Sequence, residues 1–358
     1  MSNIHQGQHV RFQYTLGKRG NESTVNIFND KFNFSLFLHQ TRWFQPRLEP
    51  SPRVRFFYML LQEFFRSFPR VSDKNTRLTY SDNWPVLYDK HFLKTTLFPR
   101  VRDASNPYVE TTQSKNVFTQ SKWACFQSSS DNVVYVDFAN KDFGGGVLGR
   151  GFVQEEKLVS MTSALSLAIL KRCIENNTWR SNFAPTLRKI LATRLSHLHK
   201  NPILFTTYNT AVEIGNHKPS TYYGRQMPPV NWNANNQNPS QITRAVNVWT
   251  VAPQPKLITI VAGAVPNIKG SHLSNTAMMD FYDIAYRCFA LCCIVGKKMI
   301  ISGPWGTGAF GWPDYVSYRL QMMAFQSACR DTRTHNAKLI FSGTPRIPGL
   351  EKYMGNEC

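Results

Sequence analysis

Residues 133–138 read VVYVDF, an almost wholly apolar, valine-rich run that leads directly into a turn too rich in glycine to continue it. A strand of that composition has to be covered on both faces, because a half-exposed strand would alternate apolar with polar positions. Gly144, Gly145 and Gly146 follow, with Gly149 and Gly151 close behind, and a helical stretch then runs from about Gln154 to Ile174. Further strand candidates are Ile203–Thr207, Leu257–Ala262, Met299–Ser302 and Leu339–Phe341, with helical patterns at about 274–295 and 313–330 between the last three. Short buried strands alternating with helices predict an α/β sheet covered by helices on both faces.

Before residue 130 the pattern is irregular. Its clearest element is Arg55–Ser67, where Phe56, Phe57, Leu60, Leu61, Phe64 and Phe65 recur near helical spacing and predict an amphipathic helix with an aromatic, core-facing side. Residues 227–240 (MPPVNWNANNQNPS) carry no apolar periodicity and read as a long surface loop. The opening MSNIHQGQHVRF lacks the apolar core of a signal peptide, and the longest apolar run, around Phe289 to Val295, is too short to span a bilayer. The 7 cysteines form no CxxC pair and have no histidines at ligand spacing, which points to reduced thiols in an intracellular, cytoplasmic or nuclear protein without a metal site. Cys288 and Cys292, four apart on a helical pattern, read as small buried apolar groups.

With 42 Lys+Arg against 22 Asp+Glu, the formal charge of +20 points to a polyanionic partner: nucleic acid, an anionic membrane or a phosphate-rich substrate. Between Lys171 and Lys200 the bases Arg172, Arg180, Arg188, Lys189 and Arg194 face one acid, Glu175, a run that suits either a solvated face or a groove steering a polyphosphate.

Two loops carry chemistry. The first, Val136 to Lys157, sets adjacent carboxylates, Glu155 and Glu156, just after the glycines and Asp137 just before them. Glycine-rich backbone of this kind can turn N–H groups toward a phosphate or a ribose. The second, SGPWGTGAFGWP from Ser302 to Pro313, matches GxGxxG at Gly306, Gly308 and Gly311, and Asp331 follows twenty residues later as in a dinucleotide-binding fingerprint. Too little chain remains after it for a Rossmann half-domain. The narrower reading is a loop that cradles a diphosphate, with Phe310 or Trp312 able to stack on a base or ribose.

Together, VDFAN (Val136 to Asn140), GGG, seven residues, QEE (Gln154, Glu155, Glu156) and WGTGAFG (Trp305 to Gly311) resemble the poly(ADP-ribose) glycohydrolase family, over roughly residues 130–345. The resemblance implies an α/β macrodomain-like fold, a three-layer α/β/α sandwich with a mixed sheet, at residues 111–358, preceded by a mostly helical accessory region at 1–110. It implies hydrolysis of ribose–ribose bonds in poly(ADP-ribose), with Glu156 as acid/base and Glu155 and Asp137 holding ribose hydroxyls or orienting the site. It further implies substrate contacts from Asn140, Gly144, Gly145, Gly146, Val147 and Gln154, and diphosphate contacts from Gly306, Thr307, Gly308, Ala309 and Phe310. No cofactor or metal is called for. Tyr208, Tyr222 and Tyr223 are the candidates for a tyrosine the family places between the loops. The partners implied are ADP-ribose, its polymer and ADP-ribosylated proteins, with no membrane; nucleic acid is supported by charge alone. The alternative is a macrodomain that reads ADP-ribose, or removes single units, without degrading polymer.

Overall fold

The computed structural model describes residues 22–26, 77–81, 117–120, 132–148, 151, 153–175, 185–209, 212–214, 249–251, 256–342 and 355–356. The predicted helix Arg55–Ser67 and the loop 227–240 lie outside them.

The strands are β1 (Glu22–Asn26), β2 (Arg77–Ser81), β3 (Val117–Gln120), β4 (Val133–Phe138), β5 (Ile203–Asn209), β6 (Val212–Ile214), β7 (Trp249–Val251), β8 (Lys256–Gly263), β9 (Met299–Ser302), β10 (Lys338–Ser342) and β11 (Gly355–Asn356). The helices are α1 (Gln154–Ser160), α2 (Leu165–Glu175), α3 (Pro185–Arg194), α4 (Asn275–Ile294) and α5 (Asp314–Asp331). Nine strands form one sheet in the order β1-β2-β5-β8-β4-β9-β10-β3-β11, and β6 pairs with β7 apart from it. From β8 through β11 in that order every pairing is parallel, whereas β5 runs antiparallel to both β8 and β2, and β1 antiparallel to β2. The sheet is therefore mixed and the class α/β, as the alternation of strand and helix patterns predicts.

The apolar runs become central strands. β4 lies between β8 and β9 with its first five residues buried. Val134, Val136, Val261, Ile300 and Leu339 pack on one face with α4 and α5. Alternation along β4 sends Tyr135 and Asp137 to the opposite face, where α1 packs against the strand. Cys288 and Cys292 sit fully buried in the α4 core as free thiols.

Two local results differ from the sequence expectation. The single helix expected from Gln154 to Ile174 is two, broken at 161–164. Hydroxyl side chains cause the break: Thr162 Oγ1 donates to Val159 O (3.2 Å), and Ser163 donates its N–H to Tyr208 O (2.8 Å) while its hydroxyl meets Thr207 Oγ1 (2.7 Å). Such groups offer the backbone partners outside the helix. Within residues 1–110, the described elements are β1 and β2, strands of the same sheet, with Leu78, Thr79 and Tyr80 buried.

Candidate active site

β4 ends unevenly. On the β8 side its pairing continues to Phe138↔Gly263, but on the β9 side it stops at Tyr135↔Ile301. Gln154 takes up the backbone groups thus left open: its Nε2 donates to Val136 O (2.9 Å) and its Oε1 accepts from Phe138 N (2.8 Å). The amide extends the ladder and seats the first residue of α1 on the strand end. Gln154, expected among the substrate contacts, stands as a clamp between α1 and β4. Replacing it with methionine leaves both backbone groups unmatched, and Gln154→Met should cost about 2 kcal/mol in chemical denaturation.

With α1 so fixed, the two glutamates point back into the glycine loop. Glu155 Oε2 accepts from Asn140 N and Glu155 Oε1 from Gly144 N, both at 2.8 Å. Glu156 Oε1 accepts from Gly146 N (2.8 Å) and Glu156 Oε2 from Val153 N (2.7 Å), the reach-back of a helix's third residue to its cap. Each of the four oxygens thus receives one backbone N–H. The glycines are needed for this approach. Gly145 has φ +47°, and a β-carbon there would lie 2.8 Å from Glu156 Oε1 and collide with Glu155 Oε2; one at Gly151 would strike the Glu156 carboxylate. The sequence leads one to expect loop N–H groups facing a ligand. The structure instead commits them internally, with Gly145 N donating to Asp142 O (3.0 Å) and Val147 N to Gly144 O (2.8 Å). Asn140 uses its side-chain oxygen to accept from Asp142 N (3.3 Å).

Asp137 is fully buried, and among the described residues neither of its carboxyl oxygens has a hydrogen-bond partner. Burial first, and then the neighbouring Glu156 charge, raise its pKa well above the ordinary 3.8. Glu155 is raised as well, by burial and by the charges of Asp137 and Glu156, against the opposing N–H bonds from Asn140 and Gly144. Burial of these two neighbouring carboxyl groups, Asp137 and Glu155, therefore favours their protonated forms at pH values where free ones are ionised.

Above 3.8 the unfolded chain releases the Asp137 proton while the folded chain keeps it, so stability falls as pH rises toward the raised value. Asp137→Asn removes that titration. Urea denaturation from pH 4 to 8 should show a shallower decline for Asp137→Asn than for the wild type, and equal slopes would refute the burial of a proton at this position.

The second loop leaves β9 through Gly303. Trp305 is fully buried and stacks on Phe138 of β4 (centroids 5.9 Å apart, planes 18° apart), coupling this loop to the first. Gly306 has φ +76°, and a β-carbon there would lie 2.8 Å from the Trp312 ring. Trp312, expected as a stacking surface for ligand, is a core residue: it is 2% exposed, meets Phe281 edge-on at 4.8 Å and donates Nε1–H to Pro266 O (2.7 Å). Phe310 remains half-buried, its carbonyl accepting from Ile268 N (2.9 Å), while Gly308 and Ala309 are exposed. Thr307 turns its N–H and hydroxyl to Pro304 O (3.3 and 3.0 Å). Among the described residues, the N–H groups of Gly306, Gly308, Ala309 and Phe310 have no partner. These four N–H groups are donors free for an anion. Asp331, the acid of the GxGxxG pattern, sits at the far end of α5, about 27 Å of helix away, where it accepts from Tyr286 Oη (3.0 Å).

Of the tyrosine candidates, Tyr208 lies on β5 with its N–H donated to Ser163 Oγ (3.0 Å), and Tyr222 and Tyr223 lie outside the described residues. The basic run is partly spent inside the fold: Lys171 is buried against Glu175 (2.6 Å) and Asp142 (3.6 Å), and Arg194 lies 4.6 Å over the Tyr80 ring. Among the described residues, no cluster of His, Cys, Asp and Glu is placed to hold a metal ion.

No protein-family model matches the chain, and no curated protein does. Among solved structures, it is similar to the poly(ADP-ribose) glycohydrolase of Thermomonospora curvata, with a TM-score of 0.39 and 13% identity over 89% of this chain and 96% of that one. The same enzyme bound to the inhibitor ADP-HPD gives the same values. The poly(ADP-ribose) glycohydrolase of Deinococcus radiodurans in complex with ADP-ribose gives a TM-score of 0.38 and 14% identity over 74% of this chain and 89% of that one.

Proposed function

We propose that this chain is a macrodomain-type poly(ADP-ribose) glycohydrolase that cleaves ribose–ribose O-glycosidic bonds and releases ADP-ribose. The observation that carries the reading is the pair Glu155–Glu156, whose four carboxylate oxygens are each held by a backbone N–H beside the buried, unpartnered Asp137. The Phe138–Trp305 stack joins that pair to a loop whose free N–H groups suit a diphosphate. A carboxyl pair beside a diphosphate cradle is suited to a sugar linked to a pyrophosphate, and the QEE and WGTGAFG motifs fall on these two places.

In this reading Glu156 is the acid of the first step. As the glycosidic C–O bond breaks and positive charge develops on the anomeric carbon, its proton passes to the departing ribose oxygen. The resulting carboxylate then takes a proton from the water whose oxygen bonds to that carbon, which restores Glu156 and leaves two hydroxyl-bearing products. Glu155 serves to bind ribose hydroxyls, and Asp137 keeps neutral carboxyl beneath the pair.

The catalytic unit is assigned to residues 111–358 and an accessory region to 1–110, which lends β1 and β2 to the sheet edge. ADP-ribose polymer and the proteins that carry it are the partners, in cytoplasm or nucleus. No helix among the described residues is long and apolar enough to cross a membrane.

The test is incubation of the purified chain with labelled poly(ADP-ribose), followed by chromatography of the products. Free ADP-ribose is the expected product. Retention of polymer without release would make the chain a reader, and release from singly modified protein alone would make it a mono-ADP-ribosyl hydrolase.

A further inference from the structure

α5 packs beneath the second loop and carries three buried polar residues on its first turns: Ser317 and Gln321, both fully buried, and Arg319. Ser317 and Gln321 stand one turn apart and touch: Gln321 Nε2 donates to Ser317 Oγ (3.1 Å). The same nitrogen donates to Gly303 O (3.0 Å), while Gln321 Oε1 accepts from Ser302 Oγ (2.5 Å). Because a backbone carbonyl can only accept, Gly303 O fixes which end of the amide faces it. The amide nitrogen then occupies one acceptor site of the Ser317 hydroxyl, which directs that hydroxyl's own proton onto Trp305 O at 2.6 Å.

A trans peptide bond sets its C=O and the next N–H on opposite sides of one plane. Pinning Trp305 O down onto α5 therefore turns the N–H of Gly306 up, away from the helix. Gly306 is the first of the loop's unclaimed donors, and its own carbonyl receives Trp312 N (3.1 Å), which closes the turn behind it. The carbonyl of Gly303, two residues before Trp305, is held in the same way by Gln321 and by Trp305 N (2.7 Å). Four polar contacts thus converge where apolar side chains would pack at lower desolvation cost. Their shared effect is the orientation of one stretch of loop backbone.

We propose that Gln321, acting through Ser317, is a positioning residue that sets the Trp305–Gly306 peptide with its N–H presented to the substrate diphosphate. It touches no substrate. Its chemistry is a one-way proton order, amide to hydroxyl to carbonyl, that holds the donor in place before the anion arrives, so that binding costs no reorganisation. The inference rests on the diphosphate reading of this loop.

The variants Gln321→Met and Ser317→Ala each interrupt the order while keeping side-chain volume close to the original. Ser327→Ala is the control: on the same helix, it removes the half-buried hydroxyl that accepts from Tyr282 Oη (2.7 Å) and leaves the loop untouched. Expected for both test variants is about tenfold weaker ADP-ribose binding by calorimetry, the loss of one donor to a charged oxygen. KM for polymer should rise with kcat within about twofold, because the interaction is the same in ground and transition states. The Trp312 amide, which bonds to Gly306 O, should exchange with solvent about tenfold faster, while Ser327→Ala lowers the melting temperature and changes neither binding nor that exchange.

Unchanged ADP-ribose affinity and unchanged Trp312 exchange in both test variants would overturn the proposal and leave the network a stability device. If the wild type itself takes up no ADP-ribose, the functional reading fails separately. Trp312 exchange then still decides the positioning claim, since it requires no ligand.

Discussion

Glu156→Gln should lose polymer turnover by about a thousandfold, within the range for removal of a general acid/base. It should still bind ADP-ribose within a few-fold, because the donors proposed for the diphosphate lie in the second loop. The local geometry explains why even so conservative a change does damage. Both Glu156 oxygens accept, from Gly146 N and from Val153 N. An amide has one acceptor, so whichever way it turns, its NH2 group faces a backbone N–H. The side chain is pushed from its seat as well as stripped of its proton. Single-turnover measurement with labelled polymer, beside calorimetry with ADP-ribose, separates the two effects. Turnover above about a tenth of wild type would remove Glu156 from the acid/base role.

The strand β4, the sheet class and the grouping of Asp137, Glu155 and Glu156 were all legible in the residues. Each is written in local order: an apolar run, a glycine cluster and a pair of acids at a helix start. What sequence spacing cannot carry is which polar atom meets which. The Gln154 amide reads as a substrate contact, and only the early end of β4–β9 pairing explains its position. Trp312 read as a ligand platform because it follows a glycine loop, yet the loop folds back and drives the ring onto Phe281. The break at 161–164 lies at the hydroxyls of Thr162 and Ser163, which compete with the helix although the apolar periodicity runs on through it. Strands β2 and β3, of five and four residues, are too short for any period to register, and the sheet recruits them by pairing across long sequence distances. Asp331 shows the converse. A twenty-residue interval that imitates a ribose-binding acid lands at the far end of α5, because the intervening residues are one continuous helix.

Gly145→Ala is the second large expected effect, and it separates two reasons for a glycine. At φ +47° an alanine pays the left-handed backbone penalty of about 1–2 kcal/mol, and its methyl would also press on the Glu155 and Glu156 carboxylates, 2.8 Å from Glu156 Oε1. Gly296, at φ +79° in the turn after α4, carries the same backbone demand with no atom within 4 Å of a β-carbon. Gly296→Ala should therefore lose about 1 kcal/mol of stability and keep full turnover. Gly145→Ala should lose more stability, since hydrogen bonds to charged groups are worth about 1.5–3 kcal/mol each and the Asn140, Gly144 and Gly146 donors lose their alignment. Its turnover should fall by at least about a hundredfold, because a carboxylic acid displaced by even 1 Å no longer meets the leaving oxygen. Matched stability losses with activity intact in both variants would mean that Gly145 answers only to its backbone angle. The glycine loop would then not be what holds Glu155 and Glu156 in register.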